Sequence, residues 1–343
     1  MRALVKERPE PGLSLLEIER PRIAHPDDVL FEIAACAICT GELKVYDWGA
    51  WAAADKTIKL PTVLGHEASG VVVEVGSAVT LCKPGDRIVV DPIMGCGQCD
   101  LCRSDRANMC PNREIYGKKR GAFADFAVLP ERAICPAPEG LSVEEGALLE
   151  NFGIAVHAVE GFPHAPGDLA LVIGAGPIGI MAAQALAAWG QRVVITDLVP
   201  FRLEMAQKLV DGTVIDASKE DVKGRIDDMS GGIGVDFVLE AAATPSALDQ
   251  AFDCVTNCGT VVTIGTFDHD VSINPFFKMT RREITLVSRM GRTQATWRRM
   301  NRLLATGRFD FRPFISHVLP FDAYEHGFER AKSSDTMKVV FKP

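Results

Sequence analysis

The sequence has no apolar run that approaches the roughly 18 residues of a membrane span, and its first residues lack the apolar core of a secretion signal. It also lacks a long run of lysine and arginine, and its net charge of -8 disfavours binding to nucleic-acid phosphates. No low-complexity tract interrupts a composition of 47% hydrophobic and 24% charged residues. We therefore expect a cytoplasmic protein of two folded domains that acts on a small molecule, without a nucleic-acid or membrane partner.

Four cysteines lie close together in the stretch CGQCDLCRSDRANMC. They are Cys96, Cys99, Cys102 and Cys110. Because a reducing cytosol disfavours disulfides, clustered cysteines there are more often metal ligands than cross-links. Four thiolates complete the coordination of zinc and leave no position for a substrate. The sequence therefore predicts a structural zinc site in a lobe at about residues 95–111. An iron–sulfur cluster is a weaker alternative, because nothing else in the chain suggests an electron-transfer partner.

A dinucleotide-binding pattern begins at residue 169. From there short β-branched runs alternate with amphipathic helical stretches, which predicts a doubly wound parallel sheet. The first turn, GAGPIG, follows the strand LALVI and precedes a helix. Gly174 allows the tight turn, Gly176 lets the backbone approach a pyrophosphate, and Gly179 lets the helix pack on the strand.

Asp197 ends the second strand of this pattern, VVITD, eighteen residues after Gly179. A carboxylate at this place accepts hydrogen bonds from the ribose hydroxyls and repels a 2′-phosphate. The sequence therefore predicts NAD rather than NADP as the cofactor. Arg202 follows on the next helix, where it either covers the adenine or lies in solvent.

The first 150 residues contain short strands between Gly, Pro and Asp turns, which predicts a partly closed β-barrel. After about residue 292 the chain returns to this mixed pattern with FISHVLPF and MKVVFKP. We therefore expect a catalytic domain made of residues 1–152 and 292–343. The dinucleotide domain, residues 153–291, would be inserted into it, with the substrate in a cleft between the two.

His66 and Glu67 lie between glycines in LGHEASG, and Cys39 precedes them in AICTGE. Zinc accepts Cys, His and carboxylate ligands together, and three protein ligands leave one position open. An isolated histidine is more often a core residue than a ligand, but this chain already has one predicted zinc site and one predicted dinucleotide site. We therefore predict a second, catalytic zinc that polarises an alcohol whose hydride passes to the nicotinamide.

GHE, the four-cysteine lobe and GAGPIG occur in the order and spacing of the zinc-dependent medium-chain dehydrogenase/reductase family, which the chain resembles over essentially its whole length. Within the family, YDWGAW and ENFGIAVHAV are most similar to the threonine and polyol dehydrogenases. The resemblance implies a GroES-like β-barrel domain, a Rossmann domain and two zinc ions per subunit. It also implies that Glu150 is an inner ligand or exchanging carboxylate at the catalytic zinc. The further NAD contacts that it implies are Pro177, Ile178, Arg202, Ile264, Gly265, Thr266, Arg289 and Met290.

Three substrate-side positions differ from the threonine-oxidising members. Gly41 stands where they have a relay hydroxyl, Lys44 where they have a relay histidine, and Ile93 where another histidine is expected. The substrate proton must then leave through Thr40, Lys44, Glu150, a ribose hydroxyl or water. The CTGE run followed by lysine is similar to erythritol and threitol dehydrogenases. We predict oxidation of a small polyol or sugar derivative, with L-threonine or a related amino alcohol as the alternative.

Two other classes of protein remain as alternatives. A zinc-free quinone or enone reductase of the same fold would lack Asp197 and the set Cys39, His66 and Glu67, all of which are present. A binding protein without activity is compatible with the changed relay positions, and it would hold one zinc rather than two. The apolar stretch EITLVSRM at the expected sheet edge predicts pairing in a homodimer or homotetramer.

Overall fold

The computed structural model describes residues 1–163, 165–268 and 270–343. Internal packing divides the chain into two compact units. The first comprises Met1–Asn151 and Asp310–Pro343, and the second comprises Phe152–Phe309. Within the described part of the chain, no helix has both the length and the apolar character needed to cross a membrane.

The strands that precede residue 152 are β1 (Arg2–Lys6), β2 (Ser14–Glu17), β3 (Asp28–Ala37), β4 (Thr62–Val63), β5 (Glu67–Val75), β6 (Arg87–Val90), β7 (Ile93–Met94), β8 (Glu114–Ile115), β9 (Phe126–Pro130) and β10 (Ile134–Pro136). The strands of the second unit are β11 (Leu169–Ile173), β12 (Arg192–Asp197), β13 (Gly212–Asp216), β14 (Val235–Glu240), β15 (Val255–Thr263) and β16 (Thr285–Ser288). The chain ends with β17 (Ile315–Pro320) and β18 (Lys338–Lys342).

The helices, in chain order, are α1 (Thr40–Asp47), α2 (Ala50–Ala54), α3 (Asp100–Arg103), α4 (Val143–Ala147), α5 (Leu149–Val159), α6 (Pro177–Ala188), α7 (Pro200–Leu209), α8 (Val222–Ser230), α9 (Pro245–Cys254), α10 (Pro275–Lys278), α11 (Gln294–Leu304) and α12 (Tyr324–Lys332).

The second unit is built on a parallel sheet with the strand order β13-β12-β11-β14-β15-β16. Its central strand β11 is apolar and buried at every position, as expected for a strand covered on both faces. The strand order reverses between β11 and β14. The carboxyl ends of these two strands therefore border the crevice in which doubly wound sheets bind ligands.

The first unit contains a mainly antiparallel sheet in the order β10-β6-β5-β3-β18-β17, with β9 also paired to β3. In its register Ala37 of β3 lies opposite Glu67 of β5 and Val340 of β18. This pairing sets the segment after β3, which begins with Ile38 and Cys39, next to the start of β5 and the C-terminal strand.

Two details of the second unit differ from the sequence pattern. Helix α8 was not predicted, because only Val222 and Ile226 are buried in an otherwise polar stretch. The other difference concerns α11, which the predicted boundary at residue 291 excluded from the dinucleotide domain. Internal packing keeps this helix in the second unit, where Thr296 donates a hydrogen bond to the buried Glu160 of the turn after α5.

Candidate functional site

The four-cysteine lobe has the geometry of a tetrahedral thiolate site. The Sγ atoms of its cysteines all lie within 4.8 Å of one another. Cys96 and Cys102 are 4.0 Å apart at sulfur, and Cys99 and Cys110 are 3.7 Å apart. Four sulfurs about 2.3 Å from a zinc ion would be separated by about 3.8 Å, whereas a disulfide requires about 2.05 Å. The residues of the lobe therefore fit zinc and not a pair of disulfides.

The backbone of the lobe is shaped for its thiolates. Gly95 has no room for a side chain, since a Cβ there would lie 2.6 Å from the Sγ of Cys102. Backbone N–H groups of Gln98 and Cys99 lower the pKa of the Cys96 thiol to about 6. Burial raises the pKa of Cys102 to about 11. A cation among the four sulfurs would favour the thiolate form of all of them.

A second group of candidate ligands lies at the end of β3 and the start of β5. Ligand atoms of Cys39, Glu42 and His66 lie within 4.8 Å of one another, and so do those of His66, Glu67 and Glu150. Both sets share the His66 ring. Each of the four residues that the sequence analysis assigned to the catalytic metal belongs to one of these two sets, and only His66 belongs to both.

Glu42 was missed in the sequence analysis. Its Oε1 lies 2.5 Å from the Nδ1 of His66, and its Oε2 accepts the backbone N–H of Cys39 at 3.0 Å. A carboxylate on Nδ1 fixes the ring orientation and leaves Nε2 as the metal-binding nitrogen. Burial acts to lower the pKa of His66, but the charges of Glu42 and Cys39 raise it well above its ordinary value.

Lys338 was also missed, and it compensates the charge of Glu67. Its Nζ lies 2.5 Å from the Oε2 of Glu67 and donates to the backbone carbonyl of Ile38 at 2.8 Å. The side chains of Lys338 and Glu67 are only 5% and 0% exposed. An uncompensated carboxylate in such surroundings would cost several kcal/mol, so the lysine is needed for the fold as well as for the site.

Two of the residues predicted to move the substrate proton, Thr40 and Lys44, lie on α1, and the third, Glu150, lies on α5. Thr40 and Gly41 lie in the first turn of α1, and apart from the adjoining backbone no atom of the described residues lies within 4 Å of a Cβ built on Gly41. Lys44 places its Nζ 5.7 Å from the ring centre of Trp51. Ile93, which replaces an expected histidine, lies in the short strand β7 at the base of the cysteine lobe.

In the second unit, a cavity of about 460 Å³ opens at the carboxyl ends of β11, β12 and β14. Its lining includes Gly174, Gly176, Asp197 and Arg202. Gly174 has φ +103°, a conformation that favours glycine, and a Cβ on Gly179 would lie 1.9 Å from the carbonyl oxygen of Gly174. Apart from its chain neighbours, no part of the described chain comes within 4 Å of a Cβ built on Gly176, which leaves free space beside the N-terminus of α6.

Asp197 is held by the backbone at the edge of this cavity. Its Oδ2 accepts the N–H of Ala175 at 2.7 Å, and its Oδ1 accepts those of Leu198 at 2.7 Å and Val199 at 2.9 Å. The guanidinium of Arg202 lies 3.8 Å from Oδ2. A carboxylate oxygen accepts up to two hydrogen bonds, so Oδ2, which accepts one, retains capacity for a ligand hydroxyl, whereas Oδ1 already accepts two.

The other predicted cofactor residues lie at the first turn of α6 and at the ends of β15 and β16. Pro177 and Ile178 begin α6. Ile264, Gly265 and Thr266 follow β15, while Arg289 and Met290 follow β16. The N–H of Arg289 donates to the carbonyl of Thr263 at 3.0 Å, which ties the two segments together.

Comparison with known proteins assigns the chain to a family. Residues 25–139 match the alcohol dehydrogenase GroES-like domain, and residues 177–306 match the zinc-binding dehydrogenase domain. L-threonine 3-dehydrogenase of Pyrococcus furiosus is 36% identical over 99% of this chain and 98% of its own length. The chain belongs to the zinc-dependent medium-chain dehydrogenase family. It is therefore an oxidoreductase with a GroES-like and a Rossmann domain, as the sequence predicted.

Solved structures of this family have the same fold. The 2R,3R-butanediol dehydrogenase of Bacillus subtilis aligns with a TM-score of 0.88 and 28% identity over 100% of this chain and 99% of its own. A zinc-binding dehydrogenase of Sinorhizobium meliloti, bound to NADP, aligns with a TM-score of 0.89 and 28% identity, again over 100% and 99%. Members with similar folds thus include a diol dehydrogenase and a protein that binds NADP.

Proposed function

We propose that this dehydrogenase oxidises a secondary hydroxyl of a small polyol or sugar derivative and transfers the hydride to NAD. The observation that carries the proposal is the ligand cluster around His66 together with Gly41 on α1. The position that a Cβ of Gly41 would occupy borders open space. The cluster supports alcohol oxidation. The glycine removes the relay hydroxyl of the threonine-oxidising members, and with it one polar partner for an amino-acid substrate.

The residues of the cluster have separate roles in this proposal. Cys39, His66 and Glu150 would hold a zinc ion, and Glu42 would keep the His66 ring in its metal-binding orientation. Glu67 is neutralised by Lys338, so we assign it to the surroundings of the metal rather than to direct ligation. A bound zinc ion would supply the Lewis acidity that lowers the pKa of the substrate hydroxyl.

The proton released from that hydroxyl needs a route that does not use residue 41. Thr40, in the first turn of α1, has a hydroxyl beside Cys39, and Lys44 lies one turn further along the helix. We propose that one of these side chains accepts the proton or passes it to solvent. Glu150 offers a further carboxylate within the ligand cluster.

NAD is proposed over NADP because of Asp197. This carboxylate, in the lining of the cavity, would accept a hydrogen bond from the adenosine ribose of NAD through Oδ2. The 2′-phosphate of NADP would place its negative charge beside that of Asp197. The nearby cation, Arg202, already lies 3.8 Å from the Asp197 carboxylate.

L-threonine is the second candidate substrate. Its support is the identity of 36% over nearly the whole chain to a threonine dehydrogenase. Two positions disfavour L-threonine, because Gly41 and Ile93 replace polar side chains of the threonine-oxidising members. A zwitterionic substrate that leaves water without specific partners loses several kcal/mol, whereas adjacent neutral hydroxyls do not carry that penalty.

The experiment is a substrate panel with the zinc-loaded enzyme. Tetritols, pentitols, hexitols, aldonates and L-threonine are compared by kcat/KM with NAD, following NADH absorbance. We expect a polyol or sugar derivative to exceed L-threonine by at least about tenfold, equivalent to about 1.4 kcal/mol. His66→Ala, which removes a metal ligand, is the inactive control. A preference for L-threonine would overturn the substrate assignment, and no turnover of any alcohol would favour the binding-protein alternative.

A further inference from the structure

Glu240, the last residue of β14, is a fully buried carboxylate in the second unit. Its Oε1 accepts the backbone N–H groups of Ala242 at 2.9 Å and Ala243 at 2.6 Å. Its Oε2 has no hydrogen-bond partner among the residues that the structure describes. Burial raises the pKa of this carboxyl, and the backbone N–H groups act against that shift. Burying a carboxylate costs free energy, so packing alone does not explain why a glutamate occupies this position.

The turn that Glu240 holds has an unfavourable backbone conformation. Ala243 has φ +57°, in the left-handed region that residues with a Cβ rarely adopt. The next residue, Thr244, caps the N-terminus of α9 by accepting the N–H of Ala247 on its Oγ1. The hydrogen bonds to Glu240 are therefore made at the strained residue and at the one before it.

This turn also forms part of the candidate cofactor cavity. Ala241, Ala242 and Thr244 belong to the lining, as do Gly174 and Gly176. The lining does not include Glu240 itself, which lies behind the turn.

Both glycine segments predicted to bind the cofactor pack tightly on the turn. A Cβ on Gly174 would lie 3.0 Å from the backbone nitrogen of Ala242, and a Cβ on Gly265 would lie 2.4 Å from the Cβ of Ala243. A movement of residues 241–244 would therefore displace both segments.

We propose that Glu240 is a positioning residue for the cofactor. By accepting the N–H groups of Ala242 and Ala243, it fixes residues 241–244 in the shape against which the glycine turn and Gly265 are packed. The cavity wall would then be formed before the nucleotide binds, which lowers the ordering cost of binding. The inference rests on the dinucleotide site of the proposed function, but it concerns the binding of the adenosine half and not the alcohol.

The test is calorimetric titration of purified variants with NAD and with 5′-AMP. Glu240→Ala removes the acceptor and should raise the Kd for both ligands about tenfold. Glu240→Gln keeps an acceptor oxygen and should stay within about twofold of the wild type. Glu240→Asp withdraws the carboxylate from the turn, so it should weaken binding measurably even if the alanine variant does not fold.

The matched control is Asp236→Ala on the same strand. Asp236 also accepts a backbone N–H, that of Leu169 at 3.0 Å, but it lies near the other end of β14 and outside the cavity lining. This variant should lose thermal stability without a change in nucleotide Kd. Equal weakening in Asp236→Ala and the Glu240 variants would mean a general loss of stability and would overturn the positioning role.

A rescue variant tests the mechanism within the turn. Glycine tolerates the left-handed conformation, so Ala243→Gly added to Glu240→Ala or Glu240→Asp should recover at least part of the lost affinity. Wild-type affinity in Glu240→Asp, or no recovery with Ala243→Gly, would contradict the inference while leaving the cofactor site in place. If the wild type binds neither NAD nor 5′-AMP, the proposed cofactor site fails and this inference fails with it.

Discussion

Two carboxylate–base pairs lie at the ligand cluster, and in each pair one residue orients the other or balances its charge. Glu42 holds His66 through Nδ1, and Lys338 compensates Glu67. The two partners come from different parts of the chain: Glu42 follows Cys39 on the same helix turn, and Lys338 begins the last strand. Without Glu42, the His66 imidazole would lose the contact that orients it. Without Lys338, the Glu67 charge would be uncompensated in a site with little exposure to water.

The sequence was sufficient to predict which residues lie together wherever they are close in the chain. The cysteine lobe, the Gly174 turn and the His66–Glu67 pair are short patterns in which neighbouring residues provide the chemistry. Glu42 was predictable in principle, since an acid three residues after Cys39 can reach back over the first helical turn. Lys338 was not, because its contact with Glu67 depends on the pairing of β18 with β3 and not on any local pattern.

At the residue scale, Asp197→Ala tests the cofactor assignment. Loss of the carboxylate removes the acceptor for the ribose hydroxyls and the repulsion of a 2′-phosphate together, so we expect the KM for NAD to rise about tenfold or more. The preference for NAD over NADP, measured as the ratio of their kcat/KM values, should fall by a larger factor than the rise in the KM for NAD.

Asp216→Ala is the control for that substitution. Asp216 lies opposite Asp197 in the neighbouring strand and pairs with Lys219, and it is not part of the cavity lining. Its loss should leave both cofactor constants unchanged. A wild-type enzyme that uses NAD and NADP equally well, or an Asp197→Ala variant that still discriminates, would contradict the assignment.

At the scale of elements, the strands and helices of the second unit were predictable because their apolar periods are strong. The boundaries of these elements were less predictable. The helix predicted over SALDQAFDCVTN ends at Cys254, and β15 begins at Val255, within the predicted helix. The apolar residues around this junction fit either structure, and the parallel pairing with β14 decides in favour of the strand. Helix α8 lacked a sufficient apolar stripe to be recognised.

The cysteine lobe is the element that depends most directly on a metal. Cys99→Ser should remove one zinc per chain and lower thermal stability, because three sulfurs would remain without the ion that compensates their mutual repulsion. Zinc content by inductively coupled plasma mass spectrometry and a thermal melt provide the two readouts. Cys258→Ser, at an exposed cysteine of β15, is the control and should change neither. Unchanged zinc in the Cys99 variant would refute the lobe assignment.

At the scale of the whole molecule, we expect a homo-oligomer. Strand β16 is at the end of the sheet order among the described strands, and Leu286 and Val287 within it are partly exposed. An unpaired apolar edge promotes association, and symmetric pairing of two copies would cover it. Light scattering at micromolar concentration should give a dimer or tetramer mass, and Val287→Lys should reduce it. A monomer in the wild type would refute this expectation.

In the proposed reaction, hydride passes from a secondary carbon of a polyol to NAD. The most direct measurement is competition between the best polyol of the panel, deuterated at its secondary carbons, and an equal concentration of unlabelled L-threonine. Mass spectrometry of the reduced nucleotide then reports which substrate supplied the hydride, and the reverse labelling corrects for the isotope effect. If the polyol is the preferred substrate, most of the NADH should carry one deuterium. Predominantly unlabelled NADH, with the label appearing only from deuterated L-threonine, would contradict that preference.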